Sequence, residues 1–194
     1  MKSFQSLVVL KCPQQQLWTT MRDHLSEFAD RIDDIEGIRQ IDRRSEPDGR
    51  VHVVNEWHIR QQLPPAVRSI LKSDELRWID RNTWDAATWT CDWTIEPVHL
   101  SQYIACSGQT VFTATMAGRG TRVAFNGELD LKPGLLASLG GYEPLLTGVV
   151  ESVVTTIIPR NLRNVAEAAA AFVPPTARSA EQHAVVKTKP RVGK

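Results

Sequence analysis

Three polar residues, Asn55, Asp80 and Asn82, fall in phase with apolar neighbours in two strand-like runs. Val51, Val53, Trp57 and Ile59 share the parity of Asn55, while Leu76, Trp78 and Trp84 share that of Asp80 and Asn82. A pleated strand sends alternate side chains to opposite faces, so these polar groups point the same way as the hydrophobic ones. An unpartnered carboxylate on such a face is costly or takes up a proton. Asp80 is therefore expected to pair with a base such as Arg39 or Arg43, to lie in water near the sheet edge, or to address a polar group on a ligand. His52, Glu56 and His58 alternate on the other, polar face, which raises the question of a metal. At ~3.3 Å per residue the two imidazoles stand too far apart to share one zinc, and no metal is expected. No Gly-x-Ser-x-Gly, His-Glu-x-x-His, P-loop or dinucleotide fingerprint occurs. Gly118-Arg119-Gly120-Thr121 reads as a turn between strands, whereas a phosphate cradle would precede a helix. The linear sequence holds no catalytic signature and no cofactor motif.

The elements that position these residues follow from periodicity and turn chemistry. Phe4 to Leu10 is a strand, and Cys12-Pro13 opens a helix of about Pro13 to Phe28, since proline is tolerated in a first helical turn. Leu17, Trp18, Met21, Leu25 and Phe28 form its apolar stripe, and a short helical turn is expected through Ala29 to Ile35. Ile38 to Ser45 and Arg50 to Arg60 are strands joined at Glu46-Pro47-Asp48-Gly49, where proline fixes one dihedral and glycine accepts positive φ. Gln61 to Ser73 reads as a loop with a short helix, placed as a flap over a cavity mouth. Leu76 to Trp84, Ala87 to Glu96, Tyr103 to Met116 and Thr121 to Lys132 complete seven strands in one antiparallel meander. Leu145 to Phe172 is the longest helix, with a kink expected near Ile158 because Pro159 removes a ladder hydrogen bond. Residues 1–172 are thus one domain, and 173–194, with Lys187, Lys189, Arg191 and Lys194, a disordered basic tail.

Composition narrows the class. With 194 residues, 42% hydrophobic and 23% charged, the chain has the make-up of an ordinary soluble globular domain. Lys and Arg total 23 against 22 Asp and Glu, and a formal charge of +1 provides no broad positive field for nucleic acid or anionic membrane. Cys12, Cys91 and Cys106 lack disulfide-like spacing and read as reduced core residues of a cytoplasmic protein. The opening residues do not make a good signal peptide, and no run approaches the ~20 apolar residues that span a bilayer.

Ala87, Trp89, Cys91, Trp93 and Ile95 alternate with Thr88, Thr90, Asp92, Thr94 and Glu96, giving one dry face and one wet face. Parity adds Phe112, Ala114 and Met116, then Val123, Phe125, Gly127 and Leu129, to the inward surface. Fully burying a Trp or Phe is worth roughly 2–3 kcal/mol, so these rings could simply fill the core. In the other reading, a half-cone of aromatics around the last helix leaves an apolar hollow. Trp57, Trp78, Trp89, Trp93, Phe112 and Phe125 are then its walls, Val150, Val153 and Ile157 the helix side, and Asn55 and Asp80 the polar contacts. Apolar walls with few convergent polar groups are what a small-molecule site requires.

The opening Leu10-Lys11-Cys12-Pro13-Gln14-Gln15-Gln16-Leu17-Trp18, the turn Gly118-Arg119-Gly120-Thr121-Arg122-Val123 and the long closing helix resemble the START-like (SRPBCC) superfamily, whose members bind lipids, polyketides and plant hormones. The similarity runs from Phe4 to Phe172 and matches bacterial members through Leu63-Pro64, Leu76-Arg77-Trp78 and Asn82-Thr83-Trp84. It implies an α+β helix-grip fold, a seven-stranded curved antiparallel sheet wrapped around a long C-terminal helix. It also implies binding or transport of a small hydrophobic or amphipathic ligand between the two, in a pocket that tryptophans make smaller than a lipid carrier's. The superfamily includes aromatase/cyclases, so the alternative is a cyclase or dehydratase using Asp80 with a histidine or tyrosine from the opening. No catalytic set common to the members transfers onto these positions, and a binding module is favoured over an enzyme. A homodimer through the exposed sheet is a third reading. Neither a nucleic-acid partner, stable membrane insertion nor a cofactor is expected.

Overall fold

The computed structural model describes residues 2–33, 35–60, 76–98, 101, 104–131 and 158–172. The flap expected at 61–73, the helix expected over 145–157 with Val150, Val153 and Ile157, and the tail expected at 173–194 lie outside these residues. The described strands are β1 (Lys2–Leu10), β2 (Ile35–Ser45), β3 (Val51–Ile59), β4 (Leu76–Asp85), β5 (Thr90–Pro97), β6 (Ile104–Thr115) and β7 (Gly120–Leu131). They form one curved antiparallel sheet in the order β1-β7-β6-β5-β4-β3-β2. Strands β2 to β7 pair in chain order, whereas β1 crosses to pair with β7, from Lys2 opposite Leu129 to Leu10 opposite Thr121. Helix α1 (Gln14–Asp23) and a 3-10 segment (Leu25–Arg31) therefore connect the two edges of the sheet. Helix α2 (Ile158–Ala171) packs against β1, β7, α1 and the 3-10 segment. No helix among the described residues is long and apolar enough to cross a membrane.

Local chemistry explains the turns. Between β2 and β3, the Gly49 N–H donates to Glu46 O at 3.0 Å while glycine adopts φ 89°. The Asp48 carboxylate accepts the Arg50 N–H at 3.1 Å, locking the hairpin. Several boundaries differ from the sequence expectation; the helical turn expected through Ala29 to Ile35 stops at Arg31, and β2 starts at Ile35 instead of Ile38. The first helix ends at Asp23, because His24 leaves the helical region at φ −123°, and the chain continues as a 3-10 segment that still buries Phe28 and Ala29. Strand β5 starts at Thr90 instead of Ala87: Asp85 Oδ1 caps the Ala87 N–H at 2.8 Å, and Trp89 turns through φ 56°. Ala114 and Met116 do not face inward as parity implied. Both are exposed, and Met116 has left β6 for a tight turn at φ 53°. Pro159 is the second described residue of α2, and the kink expected near Ile158 involves residues outside those described.

The core is aromatic and laterally ordered. Phe4, Gly127, Gly108 and Trp93 lie side by side across four strands, and the outer two rings stack at 6.2 Å over the glycines. A Cβ at Gly108 would meet Asn126 O and sit 2.6 Å from Trp93 Cη2; one at Gly127 would sit 2.7 Å from the same atom. Gly108→Ala is therefore expected to cost about 1–3 kcal/mol by overpacking, read as a lower urea midpoint at unchanged slope. A midpoint equal to wild type would mean that Trp93 is free to move off the sheet.

Candidate functional site

The inward faces of the sheet meet α1 and α2 around a partly open hollow of about 90 Å³. Strands β3, β4 and β5 contribute Asn55 and Trp57, Trp78, Asp80, Asn82 and Trp84, and Cys91 and Trp93. Thr110 and Phe112 of β6 and Phe125 of β7 continue the wall. The helices add Met21 and Arg22 from α1, Leu25 from the 3-10 segment, and Ile158, Asn161, Leu162 and Val165 from α2. Such a space holds about three waters by liquid volume, and it is smaller than the ~150 Å³ dry cavity that accepts a benzene.

Asp80 is the hub of the polar end. Asn55 lies directly across from it on β3, and Trp57 lies two residues further along. Trp57 Nε1 donates to Asp80 Oδ2 at 2.9 Å, Asn55 Nδ2 to the same oxygen at 3.4 Å, and Asn82 Nδ2 to Oδ1. All three donors are neutral, and the carboxyl is buried. The expected basic partner or watery edge is therefore not what the structure holds. Arg39 instead faces Glu56 across the β2–β3 ladder and donates to it at 2.7 Å on the outer face, while Arg43 reaches Asp23 at 2.8 Å. Parity explains the difference, because Asp80 and Arg39 point to opposite sides of the sheet. Burial pushes the Asp80 carboxyl up to about 6, against the three hydrogen bonds and the nearby charge of Arg81. A carboxylate offers roughly four lone-pair sites, so about one remains for another donor.

The neighbours of this hub are uncharged or already satisfied. Cys91 Sγ lies 3.5 Å from Asn82 Oδ1, and burial, reinforced by Asp80 and Asp92, pushes its thiol well up, which keeps it protonated and a poor nucleophile. Trp93 Nε1 donates to Thr110 Oγ1 at 3.1 Å. Arg22 clasps Asp23 through Nε and Nη2, each at 2.8 Å. Burial opposes the Asp23 charge, but Arg22 and Arg43 outweigh it and hold that carboxyl below its usual range. Asn161 is buried, and its Oδ1 finds no hydrogen-bond partner.

Of the residues singled out from sequence, Asn55, Trp57, Trp78, Asp80, Trp93, Phe112 and Phe125 line the hollow. Trp89 is not among the lining residues; its ring packs edge-on against Trp18 at 5.3 Å. On the opposite sheet face, His52 contacts Thr83 at 3.0 Å and Glu46 at 2.7 Å, while His58 lies 3.5 Å from Glu56. Sequence reasoning missed Arg22, Thr110 and Asn161. The available signal for Asn161 was its place between Ile158 and Val165, an amide on an apolar helical stripe.

No protein-family model matches the chain, and no curated protein does. Solved structures do. The Zhui aromatase/cyclase from Streptomyces sp. R1128 is 14% identical, with TM-score 0.64 over 90% of this chain and 97% of that one. Ara h 8.0201 is 13% identical, with TM-score 0.56 over 88% of this chain and 95% of its own. Norcoclaurine synthase from Thalictrum flavum is also 13% identical, with TM-score 0.55 over 88% and 84%. At such identities the likeness is one of architecture, and the chain shares the helix-grip fold of these structures.

Proposed function

We propose that this protein binds or carries a small hydrophobic or amphipathic molecule in the hollow between sheet and helices. Asp80 supports this reading most directly: a buried carboxyl with neutral donors and a free acceptor site lines a mostly apolar wall. A structural carboxylate would more economically be paired with a base or replaced by an apolar residue. Leu162 is half-buried on α2 at the hollow, so Leu162→Trp should fill the space without straining the sheet. Native mass spectrometry of cell-expressed protein should show a co-purified small molecule on the wild type and not on this variant. Wild type that is repeatedly empty and that binds neither 1-propanol nor propylamine would sink the proposal.

A second reading is a cyclase or dehydratase acting in the same hollow, the class named for the Zhui neighbour. Its support is the Asp80 carboxyl near 6, poised to give and take a proton close to neutral pH. The described lining residues include no histidine or tyrosine to serve as its counterpart. Turnover of a polyketide substrate that Asp80→Asn abolishes would favour this reading over binding alone.

A further inference from the structure

We infer that the ligand of this hollow presents a protonated amine, and that Asp80 is its counter-ion. This rests on the proposed pocket and names the chemistry of the molecule it takes. The first support is the count of partners. Asp80 receives hydrogen bonds from Trp57, Asn55 and Asn82, each neutral, and one acceptor site stays open toward the hollow. An ammonium there supplies both the missing donor and the missing charge, and a charge-assisted bond is about twice as strong as a neutral one.

The second support is the wall. Four indoles, Trp57, Trp78, Trp84 and Trp93, line the same space. Their π-faces carry negative potential that attracts a cation and repels an anion. Asn161 adds a buried Oδ1 acceptor without a partner on the helix side. Two acceptors and several aromatic faces suit an ammonium with several N–H groups better than a carboxylate.

Among the described residues, the other charged groups around Asp80 do not supply that cation. From α1, Arg22 lines the hollow but is held by both oxygens of Asp23. Arg81, next along β4, lies on the outer face, where it is exposed 3.7 Å from Glu96. From β5, Cys91 is kept as a neutral thiol by its burial. Strand β3 and helix α2 present only the amides of Asn55 and Asn161 and apolar groups. An anionic ligand would need Arg22 released from Asp23, so it is the competing outcome.

Three probes with one small body separate these cases: propylamine, 1-propanol and propionate, titrated into the full-length protein by calorimetry. At about pH 8 the amine should bind about tenfold more tightly than the alcohol, as expected for one hydrogen bond to a charged group. Alkyl amines stay protonated well above neutrality, at a pKa of about 10, so the amine does not change charge across the range tested. With the carboxyl at about 6, acidification to about pH 5 leaves about a tenth of Asp80 ionised. Amine affinity should therefore fall about tenfold while alcohol affinity holds. Asp80→Asn should abolish the preference and its pH dependence; should that variant misfold, the wild-type pH profile decides alone. Equal binding of amine and alcohol, or tightest binding of propionate, overturns the assignment of an amine but leaves the pocket standing. If none of the three binds, both the amine and the pocket proposals fall.

Discussion

Trp18→Ala is expected to lower the free energy of unfolding by about 4–5 kcal/mol, among the largest single-residue effects in this chain. Trp18 is 1% exposed and sits at the centre of a ring cluster. Its indole meets Trp84 at 4.9 Å, Phe112 at 5.1 Å and Trp89 at 5.3 Å, each edge-on. Edge-to-face pairs add about 0.5–1.5 kcal/mol beyond area burial. The void left by alanine has little means of closing. Trp84 and Phe112 belong to laddered strands, and the Trp89 carbonyl accepts the Phe112 N–H at 3.0 Å. For a domain of this size each kcal/mol moves the melting temperature by about 2–4 °C, so a drop on the order of 10–15 °C should appear by calorimetry. Leu7→Ala, on the outer face and 45% exposed, is the control and should change stability by about 0.5 kcal/mol or less. A cost below about 2 kcal/mol for Trp18→Ala would mean that the cluster is loosely packed and able to collapse.

The same cluster shows how much the sequence disclosed. Strand parity is a two-fold code, so Asn55, Trp57, Trp78, Asp80, Trp93, Phe112 and Phe125 could be assigned to one surface before any coordinate was known. Parity also put Glu56 on the opposite face, but the side taken by Arg39 follows from its pairing with Glu56, a register that the sequence does not state. The code fails where a strand ends. Trp89 has the right parity but lies in a turn at φ 56°, and Met116 rounds another at φ 53°. Periodicity does not state which strand β1 joins; its pairing with β7 is a tertiary choice that carries α1 across to the opposite edge. That crossing brings Met21, Arg22 and Leu25 to the hollow. Arg22 was invisible as a lining residue because its charge is answered by its neighbour Asp23, an i to i+1 contact that helical spacing does not suggest.

Asp80 should make the unliganded protein less stable as the pH rises, the opposite of what most carboxylates do. Its carboxyl titrates at 3.8 when unfolded and at about 6 when folded, with burial as the main cause. Between those values the native state holds more protons than the unfolded one, so the free energy of unfolding falls with increasing pH. The contribution is fully present below about 3.8 and is lost as the pH passes 6. At ~1.4 kcal/mol per pH unit across that window, the loss is about 3 kcal/mol. Asp23 and Glu56 act in the reverse sense. Asp23 is held low by Arg22 and Arg43 despite burial, and Glu56 chiefly by its Arg39 hydrogen bond, so both add stability above their unfolded values. Wild type must therefore be compared with Asp80→Asn by urea unfolding from about pH 3.5 to about pH 7, where the shared carboxylates cancel. The wild-type minus variant difference should decline by about 3 kcal/mol over that range. A flat or rising difference would mean that the native protein already meets the Asp80 charge with a cation of its own. Saturating propylamine should flatten the decline, because an ammonium beside Asp80 lowers its folded-state pKa toward the unfolded value. A group that weakens the empty protein at neutral pH, and that a bound cation relieves, ties the cost in stability to the binding it makes available.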